Sequence, residues 1–118
     1  GYRRLKRALR GTSNPGAFSD ADLAEYEKAW SQPGALTAMI NWYRALPFKP
    51  DADSGKLPMP VLALWGMGDR FLEFGLCQES VKLCAHGRAE RFEDATHWVH
   101  LERAERGNAA LATFFKEP

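Results

Sequence analysis

Val61-Leu62-Ala63-Leu64-Trp65 is an unbroken apolar run closed by Gly66, and it decides the class of fold open to this chain. Such a run is typical of a strand buried on both faces, as in a parallel sheet. A strand of that kind needs neighbours on both sides and helices above and below. Arg88 to Phe92 is a second, weaker strand candidate, and it is the only other one. Between them Leu76 to Ala85 reads as helix, with His86-Gly87 as its stop. Ala104 to Lys116 reads as a final helix with Leu111, Phe114 and Phe115 on its inner side. Strand, helix, strand, helix is the order of an α/β sheet. Two strands alone are marginal. The expectation is therefore the C-terminal part of a larger α/β protein, with an N-terminal partner supplying most of the sheet. A first residue of Gly rather than Met agrees with something having been removed upstream.

The stretch before that sheet is helical. Tyr2 to Arg10 is basic, carries Leu5 and Leu9 four apart, and stops at Gly11. Asn14-Pro15-Gly16 marks a turn. Ser19 is placed as an N-cap, with Asp20 and Asp22 in the first turn where acids complement the helix dipole. Leu23, Tyr26 and Trp30 give that helix one buried face, and Gln32-Pro33-Gly34 ends it. A second amphipathic helix, Ala35 to Leu46, presents Leu36, Met39, Ile40, Tyr43 and Leu46, and Pro47 and Pro50 close it. Residues 51–60 are polar and rich in Pro and Gly. They read as a connector between a helical segment, 1–50, and an α/β segment, 61–118.

Composition narrows the partners. Of 118 residues, 45% are hydrophobic and 26% charged, which is globular rather than disordered. Sixteen basic residues against fifteen acidic ones leave a net charge of +1, so nothing electrostatic favours nucleic acid. The basic run Arg3, Arg4, Lys6, Arg7 and Arg10 is read as a solvated helix face. No apolar run approaches the ~20 residues of a membrane span, and no secretory leader is visible. Cys77 and Cys84, read on one helix, face the same way. They stand about 10.5 Å apart at 1.5 Å per residue, too far for a bridge. A reducing cytoplasm is the default compartment. His97 and His100 match no standard zinc spacing, so no metal site is expected.

Functional groups in open α/β sheets gather at the strand ends. Trp65-Gly66-Met67-Gly68-Asp69 places a carboxylate just past the apolar strand, and Asp94-Ala95-Thr96-His97-Trp98 places an imidazole just past the second. With parallel strands both loops lie at one edge, and Asp69 and His97 become neighbours. An acid beside a histidine fixes the ring tautomer and makes it an effective general base. On pattern alone, a surface aspartate in a turn and a histidine capping a loop fit as well.

Two segments carry a resemblance. Leu64-Trp65-Gly66-x-x-Asp69-Arg70-Phe71, followed by Thr96-His97-Trp98-Val99-His100, resembles the C-terminal third of the α/β-hydrolase family. There the acid follows a late strand and the histidine the last one. Ser31-Gln32-Pro33-Gly34-Ala35-Leu36, leading to Asn41-Trp42-Tyr43-Arg44, is similar to the lid of epoxide hydrolases. The resemblance runs from about Gly16 to Phe115, with Thr96 where the family more often has Gly or Ser. It implies the end of a lid, then the acid and histidine half of the core. The Gly-x-Asp-x-Gly nucleophile elbow, the His-Gly-x-Pro loop and the first lid tyrosine are not in this sequence.

The resemblance also implies a chemistry. An aspartate from the missing half attacks an epoxide carbon while Tyr43 holds the oxygen. His97, oriented by Asp69, then activates the water that hydrolyses the ester. Phe71, Leu72 and Trp98 line an apolar pocket for a small hydrophobic epoxide. No metal or organic cofactor is required. Core packing is the competing role for Tyr43, which shares its face with Leu36, Met39 and Leu46. Two other functions stay open: a haloalkane or haloacid dehalogenase on the same fold, and a truncated fragment without catalysis.

Overall fold

The computed structural model describes residues 1–48 and 56–117. Three helices come first: α1 (Arg3–Gly11), α2 (Asp20–Trp30) and α3 (Ala35–Ala45), the last running into a 3-10 turn at Leu46–Phe48. The sheet segment follows as β1 (Leu57–Gly66), α4 (Phe74–Lys82), β2 (Cys84–Phe92), α5 (Val99–Glu102) and α6 (Ala104–Phe114). β1 and β2 pair in parallel, joined through α4, with Leu64 opposite Glu90 and Gly66 opposite Phe92.

Local chemistry explains the helix ends. Ser19 caps α2: its hydroxyl accepts from the Asp22 N–H, and the Asp22 carboxylate accepts from the Ser19 N–H at 2.9 Å. This reciprocal pair satisfies donors that a helix start leaves open. Gly34 precedes α3 with φ of 78°, a left-handed conformation that glycine adopts without a Cβ penalty. Leu23 and Trp30 are buried, and Tyr26 is half-buried between them. The basic face of α1 is mostly exposed, with Lys6 on Glu27 and Arg10 on Asp20, each at 2.6 Å.

Neighbouring residues of β1 face opposite sides of the sheet. Trp65 meets Phe74 of α4, ring centroids 6.3 Å apart. Leu64 faces the other way and lies against Gly107 of α6, a buried residue. On β2 the same division holds. Arg91 lies over Phe74, and the Arg106 guanidinium sits 4.0 Å above the fully buried Phe92 ring while holding Glu90 at 2.9 Å. A helix therefore covers each face, as the alternation of elements requires.

Several expectations need correction. β1 starts at Leu57, inside the stretch read as connector, and residues 51–55 of that connector lie outside the described residues. Its first half contains Pro58 and Pro60, which lack a ladder N–H, and the register slips between Leu57 and Pro60. Val61 to Trp65 are half-buried rather than buried, because β2 pairs one edge and, among the described residues, no strand pairs the other. α4 ends at Lys82, so Cys84 and His86 belong to β2 and the two cysteines share no helix. Gly87 is no helix stop. A Cβ there would fall 2.8 Å from the Val81 carbonyl carbon, so glycine lets the strand pass close to the end of α4. Phe115 follows α6 and is 78% exposed, not inward. No helix among the described residues is long and apolar enough to cross a membrane.

Candidate active site

The carboxyl ends of β1 and β2 are stitched together by backbone. The Met67 N–H donates to the Phe92 carbonyl at 2.9 Å and the Gly68 N–H to the Ala95 carbonyl at 2.8 Å. Gly66 makes this possible. A Cβ on it would stand 2.7 Å from the Thr96 carbonyl carbon and 2.8 Å from the Ala95 oxygen, both rigid backbone. Gly66-Met67-Gly68 is thus the seam between an acid loop and a base loop.

That seam brings Asp69 and His97 together. Asp69 Oδ2 lies 2.8 Å from His97 Nδ1. Its other oxygen accepts the N–H groups of Phe71 at 2.8 Å and Leu72 at 3.1 Å. Burial works to raise the Asp69 pKa. The hydrogen bonds from His97, Phe71 and Leu72 together outweigh it and hold the carboxyl below its ordinary value. Asp69 is therefore ionised near neutrality, and Nδ1 of His97 donates to it. The acid side chain is 7% exposed and the imidazole 38%, so the anion is inside and the base faces outward. Among the described residues Nε2 has no hydrogen-bond partner, which leaves it able to take a proton from water.

Two rings stand edge-on to the imidazole: Phe71 with centroids 5.0 Å apart and Trp98 at 5.3 Å. Trp98 is also fastened from behind. Its indole N–H donates to Thr12 Oγ1 at 3.1 Å, and its ring meets Phe18 at 5.1 Å. From Phe18 the aromatic contacts continue to Tyr26, Trp30 and Tyr2. Leu72 contributes its backbone N–H to the acid, while its side chain is 43% exposed. Tyr43 is on α3, 70% exposed, beside exposed Met39, Trp42 and Leu46. Among the described residues it is not buried and makes no hydrogen bond or ring contact with Asp69 or His97. A groove lined by Pro60, His86, Arg88 and Phe115 lies at the other end of the strands, away from this pair.

With that geometry in view, comparison with known proteins becomes informative. No family model matches the chain. The AB hydrolase superfamily protein YfhM of Bacillus subtilis is 36% identical over 98% of this chain and 41% of its own length. The chain belongs to the α/β-hydrolase superfamily. Epoxide hydrolase 2 of Caenorhabditis elegans is 33% identical over 98% of the chain and 32% of that protein. The crystal structure of Cfl2 wild-type from Burkholderia cenocepacia superposes with a TM-score of 0.83 at 27% identity, over 97% of this chain and 40% of that one. The chain thus spans between about a third and two fifths of each relative's length, and the matched stretch is the C-terminal part of the superfamily fold.

Sequence reading missed three contributors. Thr12, Asn14 and Glu102 bind the base loop from outside it. Thr12 and Asn14 reach it across 86 and 80 positions of chain, a separation at which no local spacing rule operates.

Proposed function

We propose that this chain is the lid end and acid–base half of an epoxide hydrolase. The observation that carries the reading is the buried, ionised Asp69 hydrogen-bonded to Nδ1 of an outward-facing His97 at 2.8 Å. Relatives named as epoxide hydrolases support it. The helical segment 1–50 is read as lid, and the sheet segment 61–118 as the end of the core. The exposure of Tyr43 beside other exposed apolar residues of α3 supports giving it to the substrate.

The reaction runs in two steps. A carboxylate from the remainder of the enzyme attacks an epoxide carbon, and the carbon–oxygen bond of the ring breaks. Tyr43 donates its phenolic hydrogen bond to the departing oxygen, whose developing negative charge needs a donor in a site that excludes water. The product is a hydroxyalkyl ester of the enzyme. His97 Nε2 then takes a proton from water, Asp69 stabilises the imidazolium, and the hydroxyl attacks the ester carbonyl. The ester's acyl–oxygen bond breaks, and the imidazolium proton passes to the departing alkoxide. The proton of the re-formed carboxyl replaces the one Tyr43 gave to the first oxygen, so the vicinal diol leaves with the carboxylate, His97 and Tyr43 restored. Phe71, Leu72 and Trp98 give the approach an apolar wall, which suits a small hydrophobic epoxide. The chemistry asks for no metal or organic cofactor. The free thiols of Cys77 and Cys84 fit a cytoplasmic protein.

The test is to assay the full-length protein with a hydrophobic epoxide and with a haloalkane of the same carbon skeleton. Diol formation that collapses in Tyr43→Phe supports the reading. Halide release with no diol, indifferent to Tyr43→Phe, replaces it with a dehalogenase. Neither activity in the folded protein leaves a non-catalytic role.

A further inference from the structure

We propose that Glu102 is a positioning residue for His97, clamping the base loop to the turn that leads into the lid helices. The inference rests on the reading of His97 as the base. Its evidence is the set of donors on one carboxylate. Oε1 accepts the Asn14 N–H at 2.6 Å and the Thr96 hydroxyl at 2.8 Å. Oε2 accepts the Thr96 N–H at 2.6 Å and the Asn14 side-chain amide at 3.2 Å. Each oxygen therefore holds one group from each side, and the carboxylate ties Thr96, six positions from Glu102, to Asn14, 88 positions from it. Charge-assisted bonds of this kind are the stronger class of protein hydrogen bond.

The clamp acts on the residue beside the base. Thr96 is bonded directly to His97, and its carbonyl already lies against Gly66 at the seam. Glu102 fixes the nitrogen and the hydroxyl of the same residue. The Thr96 hydroxyl also accepts the Trp98 N–H at 3.4 Å, so it spans the base from the residue before to the residue after. A second ring of bonds closes behind. The Asn14 amide and Arg103 Nη2 both donate to the Asp94 carbonyl, at 2.8 and 2.7 Å, and Arg103 Nε holds the Asp94 carboxylate at 2.7 Å. Glu102 adds two bonds to a residue whose carbonyl already abuts Gly66. The clamp sets the direction in which Nε2 of His97 points. It also means that a shift of the lid turn at Asn14 is felt at the base.

Reactive groups displaced by ~1 Å cost on the order of a hundredfold in rate, and a loosened clamp costs less than full displacement. In the full-length protein, Glu102→Gln should lower kcat for the epoxide about tenfold with KM within about twofold, the pattern of a lost transition-state alignment. The same variant, labelled with 15N-histidine, should lose or broaden the downfield Nδ1 proton resonance of His97, assigned by its absence in His97→Gln. A purely stabilising role would lower the melting temperature and leave that resonance intact in the folded protein. Thr96→Val removes one of the four bonds on Glu102, together with the long Trp98 N–H bond, and Asn14→Ala removes another from the far side of the clamp. Both should weaken the resonance in the same direction, so the pair decides the question if Glu102→Gln does not fold. Folded variants that keep the resonance and kcat of the parent overturn the proposal. Should the protein open no epoxide, the resonance still answers for the clamp, and the failure then belongs to the functional reading alone.

Discussion

The acid–base seam and the apolar face of α3 are built in opposite ways. At the seam, side chains are held largely by the chain's own backbone: two N–H donors on Asp69 beside His97, two stitched carbonyls and a glycine with no room for a Cβ. On α3 the large residues stand open, with Trp42 at 73%, Tyr43 at 70% and Phe48, just beyond the helix, at 82% exposure. On the proposed reading, the contrast separates two kinds of functional residue. A general base must be aligned before substrate arrives, so its scaffold is close at hand. A lid donor works only when lid, substrate and core meet, so its position on a helix matters more than its contacts in this chain.

The largest expected effect falls on the seam. His97→Gln in the full-length enzyme should depress diol formation about ten-thousandfold, the scale seen when a general base is removed. Steady-state assay of purified variant against parent checks it. On α3, Tyr43→Phe should cost about a hundredfold in kcat, as loss of one oxyanion donor does, while the melting temperature stays within error of the parent. A large drop in melting temperature would show that Tyr43 packs rather than donates, and the contrast between the two regions would fail.

Gly66→Ala probes the seam through the backbone. A Cβ 2.7 Å from the Thr96 carbonyl carbon must push the two loops apart, and destabilisation of about 1–3 kcal/mol is expected from urea denaturation, with loss of the Asp69–His97 bond. Acid should act on the same pair. Asp69 is held below its ordinary pKa, so its stabilising contribution is present above the unfolded value and disappears as pH falls through the folded one. The melting-temperature gap between parent and Asp69→Asn should therefore close below about pH 4. Smallest is Ser19→Ala, which removes the α2 cap and should cost about 1 kcal/mol without disturbing the His97 resonance.

Much of this was legible in the residues because it is written locally. The Ser19 cap, the α2 face of Leu23 and Trp30, and a strand carrying Val61 to Trp65 follow from spacings of two to four. The pairing of Asp69 with His97 needed one further premise, parallel strands, and the register provides it. What escaped is tertiary. Cys84 to Gly87 reads as the end of a helix because alanine favours helix and cysteine and histidine oppose it only weakly. Pairing with β1 and the close pass at Val81 decide in favour of strand. Glu102 carries no pattern at all; its meaning comes from Asn14 and Thr96, which the fold alone brings to it.

The most direct test is trapping. If an aspartate ester forms and His97 is needed only to hydrolyse it, His97→Gln should still react with epoxide and then stop. Intact-mass spectrometry of the full-length variant after incubation with a small hydrophobic epoxide should show one substrate mass added per enzyme, retained over hours, where the parent shows none at steady state. A folded His97→Gln protein that gains no mass, or that turns over epoxide as fast as the parent, would contradict the account.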